Sequence, residues 1–227
     1  MSHILAYCAF KDRQDISLPA TGVQGSPVQI MEAGPLRLLW SAVAWPFNSA
    51  NTQQHAVEFH GAVNRIFSQA AVIPFRLLSV FDDQSSLASF ITENQPGFLQ
   101  DLDRLKTFVQ MEFVVYPKPG TIHPNTNSGT AYLRQKATAL RSAEGFVHAM
   151  REAITHLCTE VHTRENKNGT RAFALVERGR ENEFRHAVSS VPLPANLSRR
   201  ISGPWPAAEF LSQQVKAPQI APAAGPQ

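Results

Sequence analysis

Cysteine is nearly absent from this chain: 227 residues carry two, Cys8 and Cys158. A disulfide framework needs several pairs and a thiolate metal site needs about four soft ligands, so both are excluded and two reduced, packed thiols are expected. Long apolar runs are missing too. Leu36 to Trp45, the longest, is broken by Arg37 and Ser41 and falls far short of the roughly 20 residues that cross a bilayer as a helix. The opening Met1-Ser2-His3-Ile4-Leu5-Ala6-Tyr7 has neither the basic nor the long apolar region of a secretory signal, so the expectation is a cytoplasmic protein without a membrane partner. Charge of one sign is also lacking. Lys and Arg total 21 against 18 Asp and Glu, a net +3, and the basic residues are scattered, which leaves no footprint for nucleic acid.

The compact catalytic signatures are missing as well. G-x-S-x-G, the phosphate-binding G-x-x-x-x-G-K-S/T, G-x-G-x-x-G and H-E-x-x-H all place glycines or paired ligands for mechanical reasons, and none occurs. His148, His156 and His162 share a stretch read as helical, but their spacing does not bring them to one face as metal ligands. Asp82-Asp83 follows a strand-like segment, where an acid most readily caps the next helix. No catalytic, cofactor-binding or metal-ligating residue is therefore assigned, and no small-molecule substrate.

What is present is core material. Hydrophobic residues make up 43% of the chain and 14 residues are Phe, a globular balance, and the length suits two small domains. The pattern along the chain is α+β. His3 to Phe10 is apolar on both alternating faces and reads as a central strand covered on both sides. Val28 to Met31 and Leu36 to Val43, separated by Ala33-Gly34-Pro35, read as a hairpin. Phe59, Val63, Ile66 and Ala70 mark one buried face of a helix over Asn51 to Gln69. Val72 to Phe81 is extended, with Pro74 marking an edge, a bulge or a strand start. Two short helices, Ser85 to Thr92 and Pro96 to Lys106, precede a strand at Phe108 to Tyr116 that closes the first half. Pro117 to Asn127 has the composition of a boundary loop, and a long helical region begins near Ser128, with Phe146, Met150, Ile154, Leu157 and Val161 along one face. After the turn at Arg164 to Gly169 come a strand over Arg171 to Glu177, a helix over Glu181 to Ser189 and an extended piece over Leu197 to Ser202. The expected domains are residues 1–120 and 121–212, followed by a disordered Pro- and Ala-rich tail at 213–227.

Two charges lie in apolar strands, Arg76 and Glu112, and each needs a partner or a route to water, so they are expected to pair across a sheet as a structural device. The most specific string is Gly203-Pro204-Trp205-Pro206, in which two prolines fix the backbone around a large aromatic.

That string, extended through Ala207-Ala208-Glu209-Phe210, resembles the G-P-W-P-P-Y-x-F ending of the gas vesicle proteins GvpF and GvpL. Further segments fall in that family's order: the opening strand around Tyr7, His55-Ala56-Val57, Ile73-Pro74-Phe75-Arg76 with Val80-Phe81, Ser128-Gly129-Thr130-Ala131-Tyr132-Leu133, and Ala172 to Val188. There are departures. Tyr7-Cys8-Ala9-Phe10 stands for Y-x-Y-G, and Arg76-Leu77-Leu78-Ser79 for R-F-G-T. The resemblance implies two domains with a ferredoxin-like component, no catalysis, and contact with the gas vesicle shell protein or other accessory proteins during assembly. With Glu112, taken from the expected charge pair, the interaction or structural motif positions are Arg76, Glu112, Tyr132, Gly203, Pro204, Trp205, Pro206 and Phe210. Two alternatives stay open: an enzyme whose site forms only in the fold, near Asp82, Asp83 or His55, and a ferredoxin-like regulatory module.

Overall fold

The computed structural model describes residues 2–11, 15–118, 144–166 and 169–212. The protein is α+β and divides into two compact units, one running from the start of the chain to Lys106 and resuming at Phe210, the other Thr107–Glu209. The segment around Tyr132 and the expected tail at 213–227 lie outside the described residues.

The first unit contains β1 (Ser2–Lys11), β2 (Val28–Ala33), β3 (Leu36–Ala44), α1 (Thr52–Phe67), β4 (Ile73–Pro74), β5 (Val80–Phe81) and α2 (Gln84–Leu105). The strands form one antiparallel sheet in the order β2-β3-β1-β4, with β5 also on β1. β1 is buried without a break from Ile4 to Phe10, as its two apolar faces required. Gly34, at φ +59°, turns the β2–β3 hairpin, a conformation glycine adopts without strain. α1 buries Phe59, Val63 and Ile66, the spacing of one helical face; it ends at Phe67, so Ala70 lies beyond it.

One buried polar knot fixes how β1 meets its neighbours. The Tyr7 hydroxyl lies 2.6 Å from Ser41 Oγ on β3 and accepts the Val23 N–H at 2.8 Å. Its ring stacks at a tilt on Phe59 of α1, with centroids 5.1 Å apart. Burial pushes the phenol above its ordinary pKa; the neutral hydroxyl is therefore the stable form and can both give and accept a bond.

The two short helices expected over 85–106 are a single helix, α2, with Pro96 inside it. Aromatic packing on both sides of the proline accounts for the continuity: Phe90 and Phe98 both face Phe75, each at 6.1 Å between centroids, and Phe90 also meets Phe81 at 5.4 Å. That burial offsets the hydrogen bond that proline cannot make. Asp83 does cap the helix, accepting from the Ser86 N–H at 2.8 Å and its hydroxyl at 2.9 Å. The Ser86 N–H is the main reason its carboxyl is held below the usual carboxylate range.

The second unit contains β6 (Phe108–Pro117), α3 (described over 144–154), β7 (Cys158–Asn166), β8 (Gly169–Glu177), α4 (Glu181–Ser190) and β9 (Leu197–Trp205). The antiparallel order β7-β8-β6-β9 on a β-α-β-β-α-β chain is the ferredoxin-like arrangement. β6 was expected to close the first half. It lies instead between β8 and β9, which moves the boundary from 120 to Lys106. The long helix was expected to reach Val161, but the chain turns at 155–157, and the β-branched residues Thr159, Val161 and Thr163 enter β7, where pairing with β8 wins over the helical spacing. Cys158 and His162 consequently lie on a strand. α4 packs Phe184 on Phe113 of β6, with centroids 6.3 Å apart. Arg199 of β9 serves the end of α4, donating to the Val188 carbonyl at 2.6 Å and to those of Val191 and Ser189 at 2.5 Å each. Such carbonyls have no partner within the helix.

Candidate functional site

In the second sheet the residues directly opposite one another share a face. Phe113 marks the face covered by α4. The other face carries Gln110, Glu112 and Val114 of β6, Leu175, Phe173 and Arg171 of β8, and Glu160, His162 and Arg164 of β7. Charge on this face is organised around an aromatic ring. Arg164 Cζ lies 5.5 Å and Arg171 Cζ 6.0 Å from the Phe173 centroid, within reach of its negative face.

Glu112 stands 3.1 Å from Arg171 Nε in an angle too poor for a hydrogen bond, an ion pair across neighbouring strands. This replaces the expected Arg76–Glu112 pair. Arg76 belongs to the first unit, outside any strand, between β4 and β5, and is exposed. Its backbone N–H bonds Ser79 Oγ at 3.1 Å and its carbonyl accepts from the Ser79 N–H at 2.9 Å. The guanidinium reaches water, so it needs no partner in another sheet.

The C-terminal motif closes over the same face. At Gly203, φ is +112° and a β-carbon would sit 2.8 Å from the Gln110 carbonyl oxygen and 2.9 Å from Met111 Sδ; only glycine fits so close an approach. Arg185 Nη2 of α4 donates to the Gly203 carbonyl at 2.7 Å. The register of β9 slips here, leaving Trp205 opposite Gln110. Trp205 is half-buried, Pro204 exposed, and Pro206 and Ala207 buried. The Glu209 N–H then donates to Gln110 Oε1 at 3.0 Å, and the Glu209 carboxylate takes both terminal nitrogens of Arg164. This bidentate clasp closes the string over β6 and β7.

Phe210, 3% exposed, is already part of the first unit. Arg104 Nη2 donates to its carbonyl. Asp101 of α2, itself 3% exposed, accepts from the Ser212 N–H at 2.9 Å and its hydroxyl at 2.8 Å. Asp101→Ala removes the acceptor and leaves donors without partners, which costs about 2 to 3 kcal/mol. The expected result is a lower denaturant midpoint together with faster proteolytic loss of the segment after Phe210; unchanged proteolysis would mean that Asp101 does not hold it.

The C-terminal string is conspicuous in the sequence, but its clasps are not. Arg164, Glu209 and Asp101 are ordinary surface-type residues, and only the topology brings them to their partners. Among the described residues no group of three or more His, Cys, Asp or Glu side chains could hold a metal ion, and no helix is long and apolar enough to cross a membrane.

The fold and this motif define a class: a two-unit α+β protein whose second unit is ferredoxin-like and is locked by its C-terminal string. The family model for gas vesicle synthesis protein GvpL/GvpF matches residues 3–212, and the chain belongs to that family. A gas vesicle protein L from Streptomyces sp. (strain CB03234) is 25% identical, the alignment covering 82% of this chain and 84% of that protein. The crystal structure of the gas vesicle protein GvpF from Anabaena sp. PCC7120 superposes with a TM-score of 0.74 at 12% identity, covering 94% of this chain and 97% of that one. GvpF from Microcystis aeruginosa gives 0.73 at 15% identity, covering 93% and 99%.

Proposed function

We propose that this chain is a non-catalytic accessory or structural protein of gas vesicles that binds the shell subunit, or another gas vesicle protein, during assembly. The observation that carries the reading is the match to the GvpL/GvpF family along nearly the whole described chain. The physical support is an open sheet edge. β2 is bonded on one side to β3 and on the other to no strand among the described residues, and Val28, Ile30 and Met31 along it are only half-buried. An apolar shell subunit needs its exposed surface covered before it aggregates, and an edge strand with apolar side chains offers both backbone bonds and apolar contact. The motif positions Arg76, Glu112, Tyr132, Gly203, Pro204, Trp205, Pro206 and Phe210 belong to the same proposal, as interface or as its support.

The test is capture of the co-expressed shell subunit by tagged protein. Wild type is expected to retain it and Ile30→Lys, which places a charge on the edge, to retain at least tenfold less while keeping its circular dichroism. If Trp205→Ala loses capture and Ile30→Lys does not, the contact lies at the C-terminal string. No capture by folded wild type, of the shell subunit or of any co-expressed gas vesicle protein, overturns the reading.

A further inference from the structure

Among the described residues the ferredoxin-like sheet also ends in an edge strand. β7 is bonded to β8 on one side and, among the described residues, to no strand on the other. After the irregularity between Cys158 and Glu160 its register is regular to Asn166, so Glu160-Val161-His162-Thr163-Arg164 is a straight, pairable stretch. Its flank is open too: a groove beside it is lined by His148, Arg151, Glu152, Thr155, Thr159 and Val161, leaving room for the side chains of an added strand.

The charges on this edge are arranged to match themselves. Antiparallel pairing of two copies about a two-fold axis through His162 sets Glu160 of each copy opposite Arg164 of the other, twice, and Val161 opposite Thr163. Residues directly opposite attract or repel most strongly, and a two-fold interface repeats each contact. Because the paired residues have the same parity, α4 of both copies stays on one side of the continuous sheet. Shifting the register by one residue sets Glu160 against Thr163 or against Glu165, which loses the attraction or makes it repulsive. Both side chains reach the surface: Arg164 is 56% exposed while held by Glu209, and Glu160 is 43% exposed beside His162 at 3.9 Å. The other edges lack this match. β9 carries Arg199 and Arg200 with no acid and is interrupted by Pro204. β2 carries a single charge, Glu32.

We propose that β7 is a self-association edge, on which a second copy of this chain docks antiparallel about His162 to join two four-stranded sheets into one.

A charge exchange tests it. Full-length wild type is expected to show about twice its 25.0 kDa mass by light scattering at tens of micromolar. Glu160→Arg and Arg164→Glu, each checked by circular dichroism, are each expected to run as monomers, because each sets like charges opposite one another twice. Mixed in equal amounts they are expected to regain the doubled mass, since every cross-pair is again acid against base. A monomeric wild type, a dimer that persists in Glu160→Arg, or a mixture of two folded variants that stays monomeric overturns the proposal. If Arg164→Glu does not fold, Glu160→Arg decides alone. Shell-subunit capture by a monomeric Glu160→Arg separates this result from the proposed function, whose physical support is the β2 edge.

Discussion

Gly22→Ala is expected to lower the thermal midpoint by roughly 10 to 20 °C, from a loss of about 3 kcal/mol in a unit of about 100 residues. A β-carbon at position 22 would lie 2.0 Å from the Tyr7 hydroxyl oxygen and 2.7 Å from Cζ. A flexible side chain would swing clear of such an approach. Tyr7 has no such freedom: it is 0% exposed, its ring rests on Phe59, and its hydroxyl is shared between Ser41 and Val23. Relieving the clash therefore means breaking both bonds in a dry environment or shifting β1 itself, and either carries the cost of an unsatisfied buried polar group on top of overpacking. Tyr7→Phe separates the two contributions, since it removes the bonds without adding volume, and should cost less than half as much. A midpoint change of under 2 °C for Gly22→Ala would show that the loop at Gly22 moves away freely.

Gly203→Ala should destabilise the second unit by about 2 to 4 kcal/mol. Two independent penalties combine there. A φ of +112° lies where a residue with a β-carbon is strained, and the new carbon would meet the backbone oxygen of Gln110 at 2.8 Å, an atom held by the strand. The register slip that sets Trp205 opposite Gln110 would have to relax. The expected readout is a lower denaturant midpoint with a changed near-ultraviolet signal, because the indole environment changes. Arg185→Ala, which removes the bond to the Gly203 carbonyl without backbone strain, is the milder comparison, at about 1 kcal/mol. Equal losses from the two variants would mean that the strain at Gly203 contributes nothing.

How much of this was legible in the sequence depended on how local the determining physics was. β1, the β2–β3 hairpin and the buried face of α1 announced themselves, because apolar periodicity and a Gly-Pro turn are read within a dozen residues. The capping role of Asp83 was equally local. The continuity of α2 was not legible, since a proline signals a break and what overrides it is packing on Phe75, a residue outside the helix, directly after β4. The end of α3 was misread because Met150, Ile154, Leu157 and Val161 fit a helical spacing, while the partner that makes Val161 a strand residue is Ala174 on β8. The partner of Glu112 was misassigned for the same reason: two apolar strands, each with one charge, suggest a pair only if they share a sheet, and sheet membership is a property of topology. The C-terminal string was conspicuous, yet the residues that hold it, Arg164, Arg185 and Asp101, sit in segments with no unusual composition.

The first unit is interrupted in the chain by the whole of the second, and Asp101 waits for Ser212 across 111 positions. A ribosome adding about 5 to 20 residues each second delivers that last contact roughly 6 to 20 seconds after Asp101 has been made. The whole of the second unit is synthesised within that interval, and Phe210 to Ser212 follow directly on its last residue. A nascent chain stalled near position 200 would carry an α2 whose buried carboxylate has no hydroxyl to meet, and quality control would encounter the N-terminal half of the protein in its least stable form.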